Sequence, residues 1–179
     1  MKKNYDNSSQ MLDYWDERKD SIYLYVTRAI CMKLVKMPNS VIDIGSNKTP
    51  ILEWFRGYSN KLVSLDLFNP YEADGVQSVM RDFLTYETND KFTLALCLQV
   101  LEHVEDAESF ARKLLTISNV LVISVPYKWK SDACIHHVHD PVDEEKLFSW
   151  FAKKPVYSYL ATELNGVKRL IQVYIQQST

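Results

Sequence analysis

The chain alternates between short apolar runs and segments whose apolar residues recur at helical spacing. Five runs read as strands: Val41 to Ile44, Lys61 to Leu67, Val76 to Met80, Phe92 to Leu98 and Val120 to Val125. Phe92 to Leu98 (FTLALCL) and Val120 to Val125 (VLVISV) are almost continuously apolar, as parallel strands buried on both faces are. Between the runs lie four helical segments: Met11 to Met37 with a break near Asp20-Ser21, about Pro50 to Phe55, Ala107 to Thr116, and Asp143 to Phe151. In the first, Ile22, Val26, Ala29, Ile30, Leu34 and Met37 form the predicted inner stripe, with Lys33 snorkelling among them. In the last, Leu147, Phe148 and Phe151 share a face. Val156 to Thr162 and Arg169 to Ile175 alternate as two further strands, and Asn165-Gly166 between them predicts an antiparallel hairpin. The polar stretch Met1 to Gln10 reads as a frayed end.

This order predicts an α/β fold, with a mostly parallel seven-stranded sheet ending in an antiparallel hairpin. Residues 1–38 form a helical cap on a core at 40–176, within one domain spanning 1–179. The chain is organised around Ser40 to Pro50, SVIDIGSNKTP. Its pattern is a buried strand, a turn at Gly45, and a helix start with Thr49 as N-cap and Pro50 at the first helical position. Ligands with phosphate or nucleotide character bind at such places, outside the carboxyl ends of parallel strands. Asp66 closes the second strand, about twenty residues beyond the glycine turn. That spacing suits a carboxylate accepting from ribose hydroxyls, the alternative being a turn aspartate. Asp82-Phe83 follows the third strand, placed to meet a nucleobase or to cap a helix.

Composition narrows the partners. Net charge is −2, so no basic field stands out to track nucleic acid. The three cysteines form no CxxC pair, and an odd, scattered set points to a reducing, cytoplasmic setting. No apolar run is long enough to span a bilayer, and the two N-terminal lysines precede no signal-like apolar stretch. The terminal hairpin leaves a sheet edge open to pairing with a second copy.

Taken in order, VIDIGS, LVSLDL, RDF, LCLQVLEHVED and LVISVPY resemble the motifs of class I S-adenosylmethionine-dependent methyltransferases, over about Tyr14 to Ile175. The resemblance implies a Rossmann-like, doubly wound fold with S-adenosylmethionine as cofactor and S-adenosylhomocysteine as product. It places Asp43, Gly45, Ser46 and Asn47 near the methionine part, and Asp66 with Leu67 near the ribose. Asp82 and Phe83 fall at the adenine, and Leu98 and Gln99 beside the sulfonium. Asn47 stands where the family usually has a second glycine, and Lys48 is not small. Asparagine adopts left-handed geometry more readily than most residues. A narrower similarity, to small methyltransferases of bacterial polysaccharide and natural-product genes, rests on Pro126-Tyr127-Lys128-Trp129 and on His137 to Leu147. It implies a small-molecule acceptor, such as a sugar hydroxyl, with Tyr127, Trp129, His136 and His139 as candidate contacts. From the residues themselves, the pair Tyr14-Trp15, with Arg18 one turn later, either covers a ligand at the sheet edge or packs its helix on the domain.

All four histidines follow the fourth or fifth strand. His137 is the first candidate for a general base and His103 the second, because imidazole titrates near neutrality, the alternative being that these rings cap the following helix and contact backbone. An extended His137-Val138-His139 puts both rings on one side, with Asp140 fixing the tautomer of His139. Zinc binding by that pair lacks a strong third ligand, so no metal is expected. Glu102 is expected to orient its loop through hydrogen bonds. Two other classes remain. One is a non-catalytic relative acting as a complex-forming module, consistent with Asn47 and Lys48. The other is a nicotinamide-dependent oxidoreductase, disfavoured because no GxGxxG is present.

Overall fold

The computed structural model describes residues 14–176. The frayed end expected over Met1 to Gln10 and the helix start expected at Met11 lie outside those residues. Helix α1 is Ile22–Leu34, and the strands are β1 (Ser40–Ile44), β2 (Lys61–Asp66), β3 (Val76–Met80), β4 (Phe92–Leu98), β5 (Ser118–Pro126), β6 (Tyr157–Thr162) and β7 (Lys168–Ile175). Helix α2 is Ala107–Ile117 and α3 is Glu144–Phe151. The strands form one sheet in the order β3-β2-β1-β4-β5-β7-β6, parallel except for β7 and its hairpin partner β6. This is the expected Rossmann-like, doubly wound sheet. The order reverses beside β1, so a crevice opens between the carboxyl ends of β1 and β4, where open α/β sheets bind ligands.

Alternation along the strands explains why the central runs are continuously apolar. Ile42, Ala95, Cys97, Leu121, Ile123 and Val125 feed one core, which α2 and α3 cover. Val41, Leu94, Leu96, Val122, Ile171 and Val173 feed the opposite core, under α1 and the Pro50–Phe55 turn. In α3 the buried face is Leu147, Trp150 and Phe151. Phe148, expected there, is 49% exposed, because Trp150 is the residue that turns inward beside Phe151.

The break at Asp20-Ser21 occurs as expected, but the inner face of α1 differs. Tyr23, Leu24, Thr27 and Cys31 are buried, whereas Lys33, Leu34 and Met37 are exposed. The cause lies in the distant hairpin: Glu163 accepts the N–H groups of Ile22 (2.7 Å) and Tyr23 (3.1 Å), tying the start of α1 to the end of β6. Arg169 on β7 pairs with the same Glu163 carboxylate and lies over the Tyr23 ring. These contacts fix the rotation of the helix and turn Tyr23 inward.

Candidate active site

The turn after β1 takes left-handed backbone at three positions: Gly45 (φ 77°), Asn47 (φ 43°) and Lys48 (φ 59°). A Cβ at Gly45 would stand 2.4 Å from Val100 Cγ2, so the β1 turn and the loop after β4 touch backbone to side chain. Asn47 adopts the geometry allowed for it. Lys48 does so as well, with its side chain in solvent, and does not enter the cavities described below. An L-residue in that region is strained, while glycine costs chain entropy. Lys48→Gly is therefore expected to raise stability by about 0.5–1 kcal/mol in denaturant titration. Pro50–Phe55 is a 3-10 helix. The Thr49 hydroxyl does not accept a helix N–H as expected but donates to the Ser46 carbonyl (2.6 Å), which closes the turn.

Asp66 organises the facing turn. Its Oδ2 accepts from Asn47 N–H, and its Oδ1 accepts from Phe68 and Asn69 N–H, each at 2.9 Å. Three of the roughly four acceptor positions of the carboxylate are thus filled by backbone. The turn role and a ligand role coexist with one position to spare. Ser46 is buried, its hydroxyl 2.8 Å from that of Ser64 and accepting from Tyr71 N–H. It joins β1, β2 and the long β2–β3 connection.

Two cavities meet over this turn. One, of about 650 Å³, is lined by Tyr14, Trp15, Arg18, Asp43, Ser46, Asn47, Leu98, Gln99 and His136, among others. The second, of about 600 Å³, is lined by Leu67, Arg81, Asp82, Phe83, Leu84 and Phe110, among others. Gly45, Asp66, Phe68, Val100 and His103 border both, so the two form one groove over the sheet crevice. Each is in the size range of small-molecule sites. Asp82 accepts from Leu84 N–H as the cap of a short 3-10 turn, Phe83–Thr85. The Phe83 ring is buried against Phe110, with centroids 4.7 Å apart, leaving only part of it to the groove.

Asp43 sits on the floor of the first cavity, 2% exposed, and its Oδ2 has no hydrogen-bond partner among the described residues. Burial, then the nearby Asp66 carboxylate, pushes its carboxyl up to about 8. The folded chain therefore holds this proton more tightly than the unfolded chain. The stabilisation is fully present below about pH 4 and is lost as pH rises through about 8. Thermal melts across that range are expected to show Asp43→Asn matching the parent near pH 4 and exceeding it near pH 8. A flat difference would remove Asp43 as a buried, ligand-free acid.

The loop after β4 carries the remaining chemistry. Gln99 (φ 57°) donates through its side chain to Ser124 Oγ (3.0 Å) and accepts from Arg169 Nε (3.2 Å). The Glu163–Arg169–Gln99 series thus links the start of α1 to the cavity wall. Glu102 is fully buried, yet among the described residues neither carboxylate oxygen has a partner, while its carbonyl accepts from Val138 N–H. Among the described residues the Glu102 side chain makes none of the expected orienting hydrogen bonds, and burial raises its carboxyl to about 8.

The histidines part company. Residues 131–140 form turns, so His137 and His139 do not share a side. His137 Nδ1 meets Asp140 Oδ2 at 2.6 Å, and Trp129 lies 5.6 Å from its ring. His139 Nε2 instead donates to the Val104 carbonyl, with the ring against Trp150. Asp140 therefore orients His137, not His139. His103 borders both cavities and donates from Nδ1 to the His136 carbonyl (2.9 Å). Tyr127 and Trp129 line a separate shallow depression with Lys128 and Gly166. Of the residues expected at the acceptor, Tyr14, Trp15 and His136 reach the groove.

A family model described as a methyltransferase domain matches residues 14–161. The chain belongs to that methyltransferase family. No curated protein matches it by sequence. The fold of this methyltransferase is similar to that of Burkholderia thailandensis 1,6-didemethyltoxoflavin-N1-methyltransferase, solved with 1,6-didemethyltoxoflavin and S-adenosylhomocysteine. The TM-score is 0.75 at 18% identity, over 95% of this chain and 85% of the other. It is also similar to the N-methyltransferase NodS of Bradyrhizobium japonicum with S-adenosylhomocysteine, at TM-score 0.72 and 13% identity, over 98% and 94% of the two chains. A third, the N-terminal domain of EvdMO1 with S-adenosylhomocysteine bound, has TM-score 0.60 at 13% identity, over 86% and 81%. Among the described residues of the methyltransferase, no helix is long and apolar enough to cross a membrane.

Sequence reasoning missed Val100, Phe68 and Tyr23 as groove residues. Val100 had a signal, since it lies inside QVLEHVED. Phe68 and Tyr23 had none, because their place depends on the turn held by Asp66 and on the rotation of α1.

Proposed function

We propose that the groove binds S-adenosylmethionine and that the chain methylates a hydroxyl of a small molecule, a sugar or related metabolite. The observation that carries the reading is the buried Asp43 carboxylate without a partner, on the floor of a cavity that continues past Asp66 into a second. A ligand with a cationic amino end, a ribose and a flat base fits that series of groups. Asp43 would take the ammonium, Asp66 one ribose hydroxyl, Asp82 with Phe83 and Leu67 the adenosine end, and Leu98 with Gln99 the region of the sulfur. Bound there, the cofactor supplies an activated methyl group on a sulfonium.

The remaining work belongs to the chain. Tyr14, Trp15 and Arg18 wall the acceptor side of the first cavity and exclude water. Holding acceptor and methyl in line contributes the larger part of such a rate enhancement. His103 faces the groove with its Nδ1 committed to a carbonyl, which leaves a lone pair on Nε2. It is better placed than His137 to handle the acceptor proton, because the His137 ring is packed behind it, 4.7 Å away between centroids.

Calorimetry with S-adenosylhomocysteine tests the cofactor, and saturable binding is expected. No heat at millimolar ligand, together with a stable protein partner on purification, would favour the complex-forming module instead. A nitrogen acceptor is the second reading, because two of the similar structures are N-methyltransferases. His103→Ala separates the two. A hydroxyl acceptor loses about 10²–10⁴-fold in rate with the proton acceptor gone. An amine with a free lone pair loses far less.

A further inference from the structure

Three groups that donate lone pairs converge beside the acceptor cavity. A carboxylate oxygen of Glu102 and one ring nitrogen each from His103 and His137 all lie within 4.8 Å of one another. His103 Nε2 is 4.0 Å from Glu102 Oε1. The hydrogen bonds fix what each ring offers. His103 Nδ1 meets a carbonyl, which only accepts, so that nitrogen carries the proton. His137 Nδ1 meets the Asp140 carboxylate and carries its proton likewise. Both Nε2 atoms are then left with lone pairs. Glu102 adds an unpartnered carboxylate, fully buried. Two ring lone pairs and a buried carboxyl with no partner among the described residues thus converge, and a divalent cation there would take the place of the carboxyl's proton.

We propose that Glu102, His103 and His137 bind a divalent first-row transition-metal ion at the edge of the acceptor cavity. Two imidazoles and a carboxylate form a three-ligand set suited to zinc, with positions left for water or substrate oxygen. The surroundings match what metal-bound histidines require: a carboxylate, Asp140, orients one ring and a backbone carbonyl orients the other. The Asp140 and His137 side chains are 1% and 5% exposed, so this ring and the carboxylate that orients it are packed away from solvent. Val138 N–H bonded to the Glu102 carbonyl (2.9 Å) joins the two loops that supply the ligands. Metal–ligand bonds of about 2.1 Å hold donors at most about 4.2 Å apart, so capture draws the three side chains inward by less than an ångström each.

The site deepens the methyltransferase reading without depending on it. Because His103 borders the groove, the open positions of the ion face the acceptor. A hydroxyl coordinated there loses its proton to water more readily, as metal-bound water does. The oxygen lone pair then forms the C–O bond while the C–S bond breaks, its electron pair returning to sulfur. In that arrangement His103 is a ligand, and the acceptor class is a small molecule with a hydroxyl free to coordinate.

The test uses the full chain, stripped with a chelator and re-equilibrated with Zn²⁺, Mn²⁺ or Co²⁺ as separate probes. One equivalent of at least one ion per chain is expected after desalting, read by elemental analysis and calorimetry, with a visible Co²⁺ spectrum if cobalt enters. Glu102→Gln and His103→Ala are each expected to weaken retention at least tenfold, while His139→Ala, outside the cluster, keeps it. Should Glu102→Gln fail to fold by circular dichroism, His103→Ala decides. Retention below a tenth of an equivalent in the parent for all three ions, or undiminished retention in the variants, overturns the proposal. S-adenosylhomocysteine binding is measured on stripped and loaded protein. Its persistence without metal uptake leaves the methyltransferase reading standing and sinks the ion alone, whereas metal uptake without it does the reverse.

Discussion

Gly45→Ala lowers the melting temperature by about 5–15 °C and weakens S-adenosylhomocysteine binding at least tenfold. Two costs combine. Alanine at φ 77° occupies the left-handed region, worth about 1–2 kcal/mol. Its Cβ would also stand 2.4 Å from Val100 Cγ2, and relieving such an overlap in a packed region costs about 1–3 kcal/mol. For a chain of this size each kcal/mol shifts the melting point by about 2–4 °C. The second variant of the pair separates the costs. Adding Val100→Ala removes the methyl that Cβ meets, so the double variant recovers the steric part and keeps the backbone part. The two changes therefore do not add, and a double-mutant cycle reads the difference. Binding suffers because Gly45 and Val100 together form the saddle where the two cavities join. A Gly45→Ala protein that melts with the parent would mean the two loops do not touch.

Asp66→Ala is expected to raise the dissociation constant for S-adenosylhomocysteine by about 10- to 100-fold and to cost about 2–4 kcal/mol of stability. The binding loss corresponds to one charge-assisted hydrogen bond, about 1.5–3 kcal/mol. The stability loss arises elsewhere, from three backbone N–H groups that would lose their acceptor. Calorimetry and denaturant titration report them separately. Asp66→Asn is informative beside it. The amide keeps one carbonyl oxygen but turns an NH₂ toward backbone donors on the other side, so one of the two anchor points of the turn fails. Loss of stability with unchanged affinity would reduce Asp66 to a turn residue and remove it from the ribose.

The strand runs were legible because parallel strands buried on both faces are apolar at nearly every position, as β4 is apart from Thr93 and β5 is between Val120 and Val125 apart from Ser124. The hairpin was legible from Asn165-Gly166, since a turn glycine between alternating runs has few other uses. The α1 face was not. Its spacing favours Ile22, Val26 and Ile30, but Glu163 and Arg169 rotate the helix until Tyr23 faces the sheet, and they lie some 140 residues away. The histidine pairing was not legible for a related reason. An extended His-Val-His segment puts two rings on one side, but turns at 131–140 send His139 to Val104 and His137 to Asp140.

The sequence by itself determined the sheet and the place of the groove. Val41 to Gly45, Asp66 and QVLEHVED fall at the carboxyl ends of adjacent strands in any sheet built from these runs, because local periodicity and strand-end chemistry are written in consecutive residues. Only the tertiary structure decided what those residues do there. The partnerless burial of Asp43 and Glu102, the contact of Gly45 with Val100 and the meeting of His103 with His137 depend on which loops lie side by side. Those are properties of packing between segments far apart in the chain, and no spacing within one segment encodes them.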